Sequence, residues 1–505
     1  MNPAEWAAHD PDPVTRAEVL RWIAERSPKL AERFAGPLSF GTAGLRGPVG
    51  GGQTAMNVAT VTRTTAGLAA WLGPGTRVVV GCDARHGSAM FRQVTAEVFS
   101  AAGVEVLLLP AQLPTPVTAF AVRHLQADAG VMVTASHNPA ADNGYKVYDR
   151  TGTQIIPPAD AEIAAAIDAA GWADEVPRST GRIREVDVLE DYLARAVPLV
   201  DAPSSPPHVV VTALHGVGGG VLLEALRRAG FDRVTPVAEQ HDPDPDFPTV
   251  DFPNPEEPGT LDLACATADR VGAGLILALD PDADRCAVAV PDAGGWRQLT
   301  GDEVGALLGW DIASRADGGV LACSIVSSRL LGRIAAHHGL GFETTLTGFK
   351  WIARVPGLIY GYEEALGYCT DPEFVGDKDG ITACLRVAEL ASRVDLLDLL
   401  GQLGERFGHH LTRQVSFRTA DPAAALAQLE GFAELPGTPG RILRTPEGDR
   451  VIVRPSGTEP KLKCYLEVRM GLKESQDVPA ARAEAAEKLT VLRQEMAAAL
   501  GVDAG

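Results

Sequence analysis

Four short segments hold most of the residue types able to do chemistry. The first, Thr134-Ala135-Ser136-His137-Asn138-Pro139, directly follows the apolar run 130–133. Ligands of α/β sheets bind at the carboxyl ends of strands, and small polar residues with a proline put Ser136 on a tight exposed loop there. A serine hydroxyl is a weak nucleophile until a base or a cation assists it. His137, Lys146 and the nearby amides are the candidates for that assistance. The competing reading is an ordinary serine/threonine turn with a solvated histidine.

The second segment is Asp280-Pro281-Asp282-Ala283-Asp284-Arg285, after the apolar run 275–279. Carboxylates at i, i+2 and i+4 can converge on one hard cation. Mg²⁺ takes oxygen ligands in octahedral geometry, often completed by a substrate phosphate. An EF-hand is excluded, because Arg285 stands at the sixth position and Pro291 at the twelfth, where Gly and Glu are needed. The loop also resembles the DxDx(T/V) loop of haloacid-dehalogenase phosphatases, from which Asp284 departs. A solvated acidic turn is the competing reading.

The third segment is Tyr362-Glu363-Glu364-Ala365-Leu366-Gly367, after a short strand pattern at 358–360. Carboxylates there can accept hydrogen bonds from vicinal sugar hydroxyls, although a solvated Glu pair is the default. The fourth is Arg454-Pro455-Ser456-Gly457-Thr458-Glu459-Pro460, with Lys461 and Lys463 beyond. An Arg fork, two hydroxyls and a Gly-centred turn make a phosphate cradle, and a plain hairpin turn is the alternative. Two glycine-rich stretches are set aside. Gly216–Gly220 has Val221 where a dinucleotide loop needs its last glycine, and the run 47–52 lacks the GK[ST] of a P-loop.

These segments sit in a chain that alternates β-branched runs with Ala-rich helical stretches. The pattern predicts strands at 77–82, 104–109, 130–134, 209–213, 275–279, 320–325 and 358–360, and helices at 89–102, 159–170, 219–229 and 301–314. Such alternation argues for α/β units with parallel or mixed sheets. An amphipathic helix is expected over 14–34, with Leu20, Ile23 and Leu30 on one face. The stretch 201–207 (DAPSSPP) and the turn 291–295 read as boundaries, and the proline-rich 241–259 as a loop. From about residue 411 the pattern changes to alternating antiparallel strands closed by a helix over 479–500, a small α+β domain.

The 505 residues suggest three or four domains. A formal charge of −20, from 45 basic and 65 acidic residues, argues against nucleic acid and anionic membranes but permits a local basic pocket for a small phosphorylated ligand. Apolar runs are too short to span a membrane, and the amino-terminal stretch has no secretion pattern. Seven scattered cysteines with no CxxC pair fit a reducing cytoplasm.

Taken in order, the four motifs resemble the α-D-phosphohexomutase family, which includes phosphoglucomutases and phosphomannomutases. Gly41-Thr42-Ala43-Gly44-Leu45-Arg46-Gly47 is similar to the family's opening loop, and Thr347-Gly348-Phe349-Lys350-Trp351 to its third-domain loop; the likeness runs from about residue 38 to 470. The fold this implies is α/β, with three related α/β domains of mixed sheets and a smaller α+β C-terminal domain around a central cleft. The expected boundaries are 1–200 (serine loop and N-terminal helix), 201–295 (metal loop), 296–410 (sugar loop) and 411–505 (phosphate loop).

The resemblance also implies roles. Ser136 would be a phosphoserine, and Asp280, Asp282 and Asp284, with the phosphate on Ser136, would hold one Mg²⁺. Arg46 and Lys146 would serve as general acid/base or as cations near Ser136, with His137 beside it. Arg285, Thr347, Gly348 and Lys350 would line the cleft, and Glu363 would contact sugar hydroxyls. Arg454, Ser456, Gly457, Thr458 and Lys463 would grip the substrate's non-reacting phosphate. The implied activity is an isomerase that moves a phosphoryl group between C1 and C6 of a hexose, or C1 and C5 of a pentose, through a bisphosphorylated sugar, with a sugar bisphosphate as activator. The implied setting is a cytoplasmic monomer or homodimer acting on a small phosphosugar.

Two positions depart from the common family pattern: Ala365 replaces a Ser, and Tyr368 a His. Glu363–Tyr368, the tetrapeptide Asp377-Lys378-Asp379-Gly380 and Gly41–Gly47 look more like the phosphopentomutase-like branch. Members of that branch act on pentose and glucose phosphates, and related proteins make glucose 1,6-bisphosphate. Glucose and ribose or deoxyribose phosphates are therefore the expected substrates, with mannose third. The rivals are a glucose-1,6-bisphosphate synthase, a sugar-phosphate phosphatase, and a bisphosphate sensor without turnover.

Overall fold

The computed structural model describes residues 2–38, 44–419, 421–456, 461–470 and 478–501. The chain divides into two compact units, 1–298 with 367–392, and 299–366 with 393–505.

The first unit contains two mixed sheets. One runs in the spatial order Leu45–Pro48, Asp142–Asp149, Ala129–Val133, Arg77–Cys82, Glu105–Leu108, Ile183–Glu185. Its last four strands are parallel and its first two antiparallel. Ala129–Val133 is buried at every position, and its neighbours Arg77–Cys82 and Glu105–Leu108 at every position but the first. That is why they read as continuous apolar runs rather than as an alternation. The second sheet has the order Gly295–Gln298, Cys286–Asp292, Leu275–Leu279, Val209–Thr212, Val234–Pro236, again with a parallel core and an antiparallel edge.

In both sheets the expected reactive loop sits where a parallel strand turns back into an antiparallel one. Ala129–Val133 leads through Ser136 into Asp142–Asp149, and Leu275–Leu279 leads through the three aspartates into Cys286–Asp292. The glycine run set aside above serves the second turn. A Cβ on Gly216 would lie 2.4 Å from Pro281 Cα, so only glycine lets this backbone close on the aspartate loop. Gly380 does the same from the other side. Its N–H donates to the Ala283 carbonyl at 3.1 Å, and a Cβ there would meet the Arg285 carbonyl oxygen at 2.3 Å. Gly380 opens the helix Gly380–Ala391, which Asp379 caps by accepting from the Ile381 and Thr382 N–H groups.

The second unit holds the parallel strands Gly341–Thr345, Val320–Ser324 and Leu358–Glu363. It also holds an antiparallel sheet in the order His409–Arg418, Lys461–Met470, Arg450–Pro455, Arg441–Arg444, Ala433–Glu434. The helix Val478–Ala499 covers this sheet through Ala485, Leu489 and Met496. The fold class is the expected one, α/β sheets followed by a smaller antiparallel α+β domain. Among the described residues no helix is long and apolar enough to cross a membrane.

Two local expectations are corrected. The 14–34 stretch is not one helix but Pro13–Glu25 and Lys29–Arg33, preceded by Pro3–Ala8. Arg26 adopts a left-handed conformation (φ 52°) and Pro28 follows, which ends the helix. Leu20 is 51% exposed; the buried face is Val19 and Trp22, joined by Ile23 and Leu30 and packed on Ala59 and Ala173. The turn at 291–295 closes a hairpin, with Asp292 opposite Gly295 in the second sheet, and so lies inside that sheet.

Candidate active site

The first unit brings Ser136, His137, Arg46, Lys146, Asp280, Asp282, Asp284 and Arg285 together. Ser136 lies on the expected tight turn but is buried rather than exposed, because the aspartate loop packs over it; its φ of 53° costs a non-glycine residue energy and must be held by its surroundings. Its N–H donates to Thr134 Oγ1 at 2.9 Å. Buried Arg85 holds the rest of the loop by donating to the carbonyls of Ser136, Asn138, Pro139 and Asp142 at 2.7, 2.6, 2.8 and 3.1 Å. Arg46 Nη1 donates to Asn138 Oδ1 at 3.2 Å.

Ser136 Oγ donates to Asp280 Oδ2 at 2.8 Å, which joins the serine loop to the aspartate loop. His137 Nδ1 lies 3.2 Å from Ser136 Oγ, and its Nε2 lies 3.4 Å from Arg285 Nη2. Arginine can only donate, so Nε2 accepts and the imidazole proton resides on Nδ1, facing Ser136. Burial, with Arg285 and Arg46 beside it, holds His137 well below its ordinary value.

The three aspartates are fully buried, and one oxygen from each lies within 4.8 Å of the others. Asp282 Oδ2 accepts from Lys146 Nζ and Thr115 Oγ1, at 2.8 and 2.6 Å. Asp284 Oδ2 accepts from Lys146 and Lys378, both at 2.8 Å. The second oxygens, Asp282 Oδ1 and Asp284 Oδ1, are buried and have no hydrogen-bond partner. Orphaned carboxylate oxygens are costly, and two beside a third carboxylate are the donor set of a hard divalent cation. On this chemistry the residues fit a metal.

Charge follows the same logic. Burial and the neighbouring carboxylates of Asp282 and Asp284 push Asp280 well above its usual range. Burial pushes Asp284 the same way, but Lys146, Lys378 and Arg285 outweigh it and hold Asp284 well below. Burial works against the Lys146 ammonium too, yet Asp282 and Asp284 leave it raised above its ordinary value. Lys146 is therefore a fixed cation.

Three contributors escaped the sequence reading. Lys378 enters only through the Asp377–Gly380 likeness, Arg85 sits three residues past the apolar strand Arg77–Cys82 in Asp83-Ala84-Arg85, and Thr115 lies in Pro114-Thr115-Pro116. Arg85 and Thr115 each follow an apolar run at a carboxyl strand end, the signal that could have found them.

The second unit gathers two further groups. Glu363 Oε1 accepts from the Gly348 N–H at 2.7 Å, which places the Thr347–Lys350 loop beside the Glu pair and Ala365. Glu364 Oε2 is tied to Ser324 and Ser327 hydroxyls, both at 3.0 Å. Arg454 lies opposite Lys463 on neighbouring strands and donates to Tyr465 Oη at 2.8 Å, and the Ser456 N–H donates to the Lys461 carbonyl at 2.9 Å. Gly41 to Ala43, Gly457 and Thr458 lie outside the described residues.

A serine and three aspartates at adjoining strand ends, with fixed cations around them, form one buried polar cluster whose chemistry suits phosphoryl transfer. Comparison with known proteins names the family. Four profiles match in order: phosphoglucomutase/phosphomannomutase alpha/beta/alpha domain I over 37–174, domain II over 190–295, domain III over 300–407, and the C-terminal domain over 417–497. A Haemophilus influenzae protein named "Probable phosphomannomutase" is 44% identical, over 82% of this chain and 93% of that one. The Homo sapiens phosphopentomutase is 36% identical, over 92% of this chain and 90% of that one. A crystal structure of a phosphoglucomutase/phosphomannomutase family protein from Burkholderia thailandensis shares the fold, with a TM-score of 0.72 at 23% identity, covering 92% of this chain and 97% of that one. The chain belongs to the phosphoglucomutase/phosphomannomutase family and is an isomerase of the phosphosugar mutase class.

Proposed function

We propose that the protein interconverts aldose 1-phosphates and their terminal phosphates through a phosphorylated Ser136. The observation that carries this is Ser136 Oγ at 2.8 Å from Asp280, next to two orphaned carboxylate oxygens. Asp280, Asp282 and Asp284, with the phosphate on Ser136, would hold one Mg²⁺. Bound there, the cation would neutralise charge on the transferring oxygens. The chain's own groups do the positioning. His137 and Asp280 fix the Oγ rotamer, Arg85 holds the loop backbone, and Lys146 and Arg46 supply positive charge beside the moving group.

The phosphoryl group leaves Ser136 Oγ for the free hydroxyl of the sugar monophosphate. The P–O bond to Oγ breaks, a P–O bond to the sugar oxygen forms, and the proton leaving the sugar hydroxyl ends on Ser136 Oγ, which is left as a neutral hydroxyl. The resulting bisphosphate returns its other phosphoryl group to Oγ, and a sugar bisphosphate primes the serine. Glu363 takes sugar hydroxyls, Arg285, Thr347, Gly348 and Lys350 line the path, and Arg454, Ser456, Gly457, Thr458 and Lys463 hold the non-reacting phosphate. The four domains carry one loop each. Glucose and ribose or deoxyribose phosphates are the leading substrates, since Ala365 omits a hydroxyl at the sugar loop and the human phosphopentomutase aligns over most of the chain.

Parallel steady-state kinetics on ribose 1-phosphate, glucose 1-phosphate and mannose 1-phosphate, with Mg²⁺ and a sugar bisphosphate, test this reading. We expect isomerised ribose and glucose products to exceed free phosphate. Equal turnover of mannose and glucose substrates with none of ribose would reject the substrate assignment. Phosphate release exceeding isomerisation would make the protein a phosphatase.

A further inference from the structure

We infer that Thr115 is the positioning residue that decides which oxygen of Asp282 faces the metal; the inference rests on the metal role proposed above for the three aspartates. Thr115 is fully buried at the start of the ten-residue helix Thr115–His124. It holds Asp282 twice. Its N–H donates to the Asp282 carbonyl at 2.9 Å, and its Oγ1 donates to Asp282 Oδ2 at 2.6 Å. The N–H belongs to the first turn of a helix, where the four leading donors have no partner within the helix, and it is spent on the aspartate loop.

The two bonds define a geometry that neither gives alone. The backbone bond fixes where residue 282 sits. The hydroxyl bond then fixes rotation about the Cβ–Cγ bond, a torsion that is broad and two-fold for aspartate. With Oδ2 engaged by Thr115 and Lys146, Oδ1 is the oxygen left over, and it is buried without a partner. Lys146 alone cannot set this orientation, because its ammonium is shared with Asp284 at the same 2.8 Å. Thr115 is itself pre-set. It lies between Pro114 and Pro116, which restrict its backbone, and its β-branched side chain has few rotamers. Groups that orient a ligand in this way commonly contribute 10- to 100-fold to metal affinity.

The test is Mn²⁺ binding to the full-length protein, followed by calorimetry and by the electron paramagnetic resonance spectrum of the bound ion. Wild type is compared with Thr115→Val, which keeps the shape and loses the hydroxyl, and with Thr115→Ser, which keeps the hydroxyl. Melting without metal reports folding. We expect Thr115→Val to bind Mn²⁺ about 10- to 100-fold more weakly with an altered spectrum, and Thr115→Ser to stay within about threefold of wild type with the native spectrum. Wild-type affinity and spectrum in Thr115→Val would overturn the inference while leaving the metal role intact. An equal loss in Thr115→Ser, or in a Thr115→Val protein that no longer melts cooperatively while Thr115→Ser also binds poorly, would assign Thr115 to the scaffold instead. Absence of Mn²⁺ binding by wild type would remove both this inference and the metal role beneath it.

Discussion

The cluster around Ser136 and the cluster around Glu467 both bury carboxylates among cations, yet they finish their hydrogen bonding differently. Glu467 is satisfied on both oxygens. Oε1 accepts from Ser328 Oγ, the Arg329 N–H and His410 Nδ1 at 3.0, 2.9 and 2.9 Å, and Oε2 from Arg329 Nε and Arg450 Nη2 at 2.7 and 3.0 Å. Asp282 and Asp284 instead use one oxygen each and keep the other bare. A saturated buried carboxylate stabilises a fold, whereas an unsaturated one carries a cost that a ligand can remove. Depth of burial is the same in both, and bare oxygens occur singly elsewhere, on Asp83 and Asp311; what sets the first cluster apart is that two of them lie beside a third carboxylate.

The largest expected effect is on catalysis in the first cluster. Ser136→Ala should lower isomerisation at least about 10³-fold, measured by coupled assay, while leaving the melting temperature nearly unchanged. Unchanged turnover would collapse the contrast, because the open cluster would then have no catalytic use.

The next effect is on stability in the second cluster. Glu467→Gln leaves Arg450 and Arg329 without a countercharge, so urea unfolding should show a loss of about 3–5 kcal/mol. Burial pushes Glu467 up, but His410, Arg450 and Arg329 outweigh it and hold it well below the usual carboxylate range. Its contribution is therefore present above the unfolded value near 4.5 and is lost as pH falls toward the folded one. The variant should lack this part of the acid-unfolding slope.

Asp302, in the same unit, gives the opposite sign. Burial pushes its carboxyl up to about 6 from 3.8, although it accepts from the Ser328 N–H and from Tyr362 Oη. Folding then favours the protonated form. Stability declines as pH rises from about 4 to about 6, by roughly 3 kcal/mol. Asp302→Asn should flatten that segment of the stability–pH curve in urea titrations; an unaltered slope would mean another group titrates there.

The smallest effect is on selectivity. Ala365→Ser should shift the ratio of kcat/KM for glucose and ribose phosphates by at most about tenfold, the worth of one hydrogen bond. A larger shift would mean that Ala365 shapes the sugar site rather than merely lacking a donor.

The strands that carry the loops were legible because buried parallel strands are written as unbroken apolar runs: 77–82 and 275–279 match the observed strands end to end. The serine and aspartate motifs were legible because their spacing is local. The partners that complete the centre were not, because they come from elsewhere in the chain. Thr115, Arg85 and Lys378 meet Ser136 or the aspartates across 51 to 167 residues of sequence. The N-terminal helix was misjudged for a different reason. Leu20 and Val19 are adjacent apolar residues, and only the packing on Ala59 and Ala173 decides which of them is buried.

The central claim concerns Ser136, and the most direct measurement is peptide mass spectrometry after brief incubation of wild type with glucose 1,6-bisphosphate and Mg²⁺, beside Ser136→Ala. The account predicts one phosphoryl group on the Ser136 peptide, removed when excess sugar monophosphate is added, and none in the variant. A phosphoryl group on another residue, or isomerisation by a wild-type protein whose Ser136 never carries one, would contradict it.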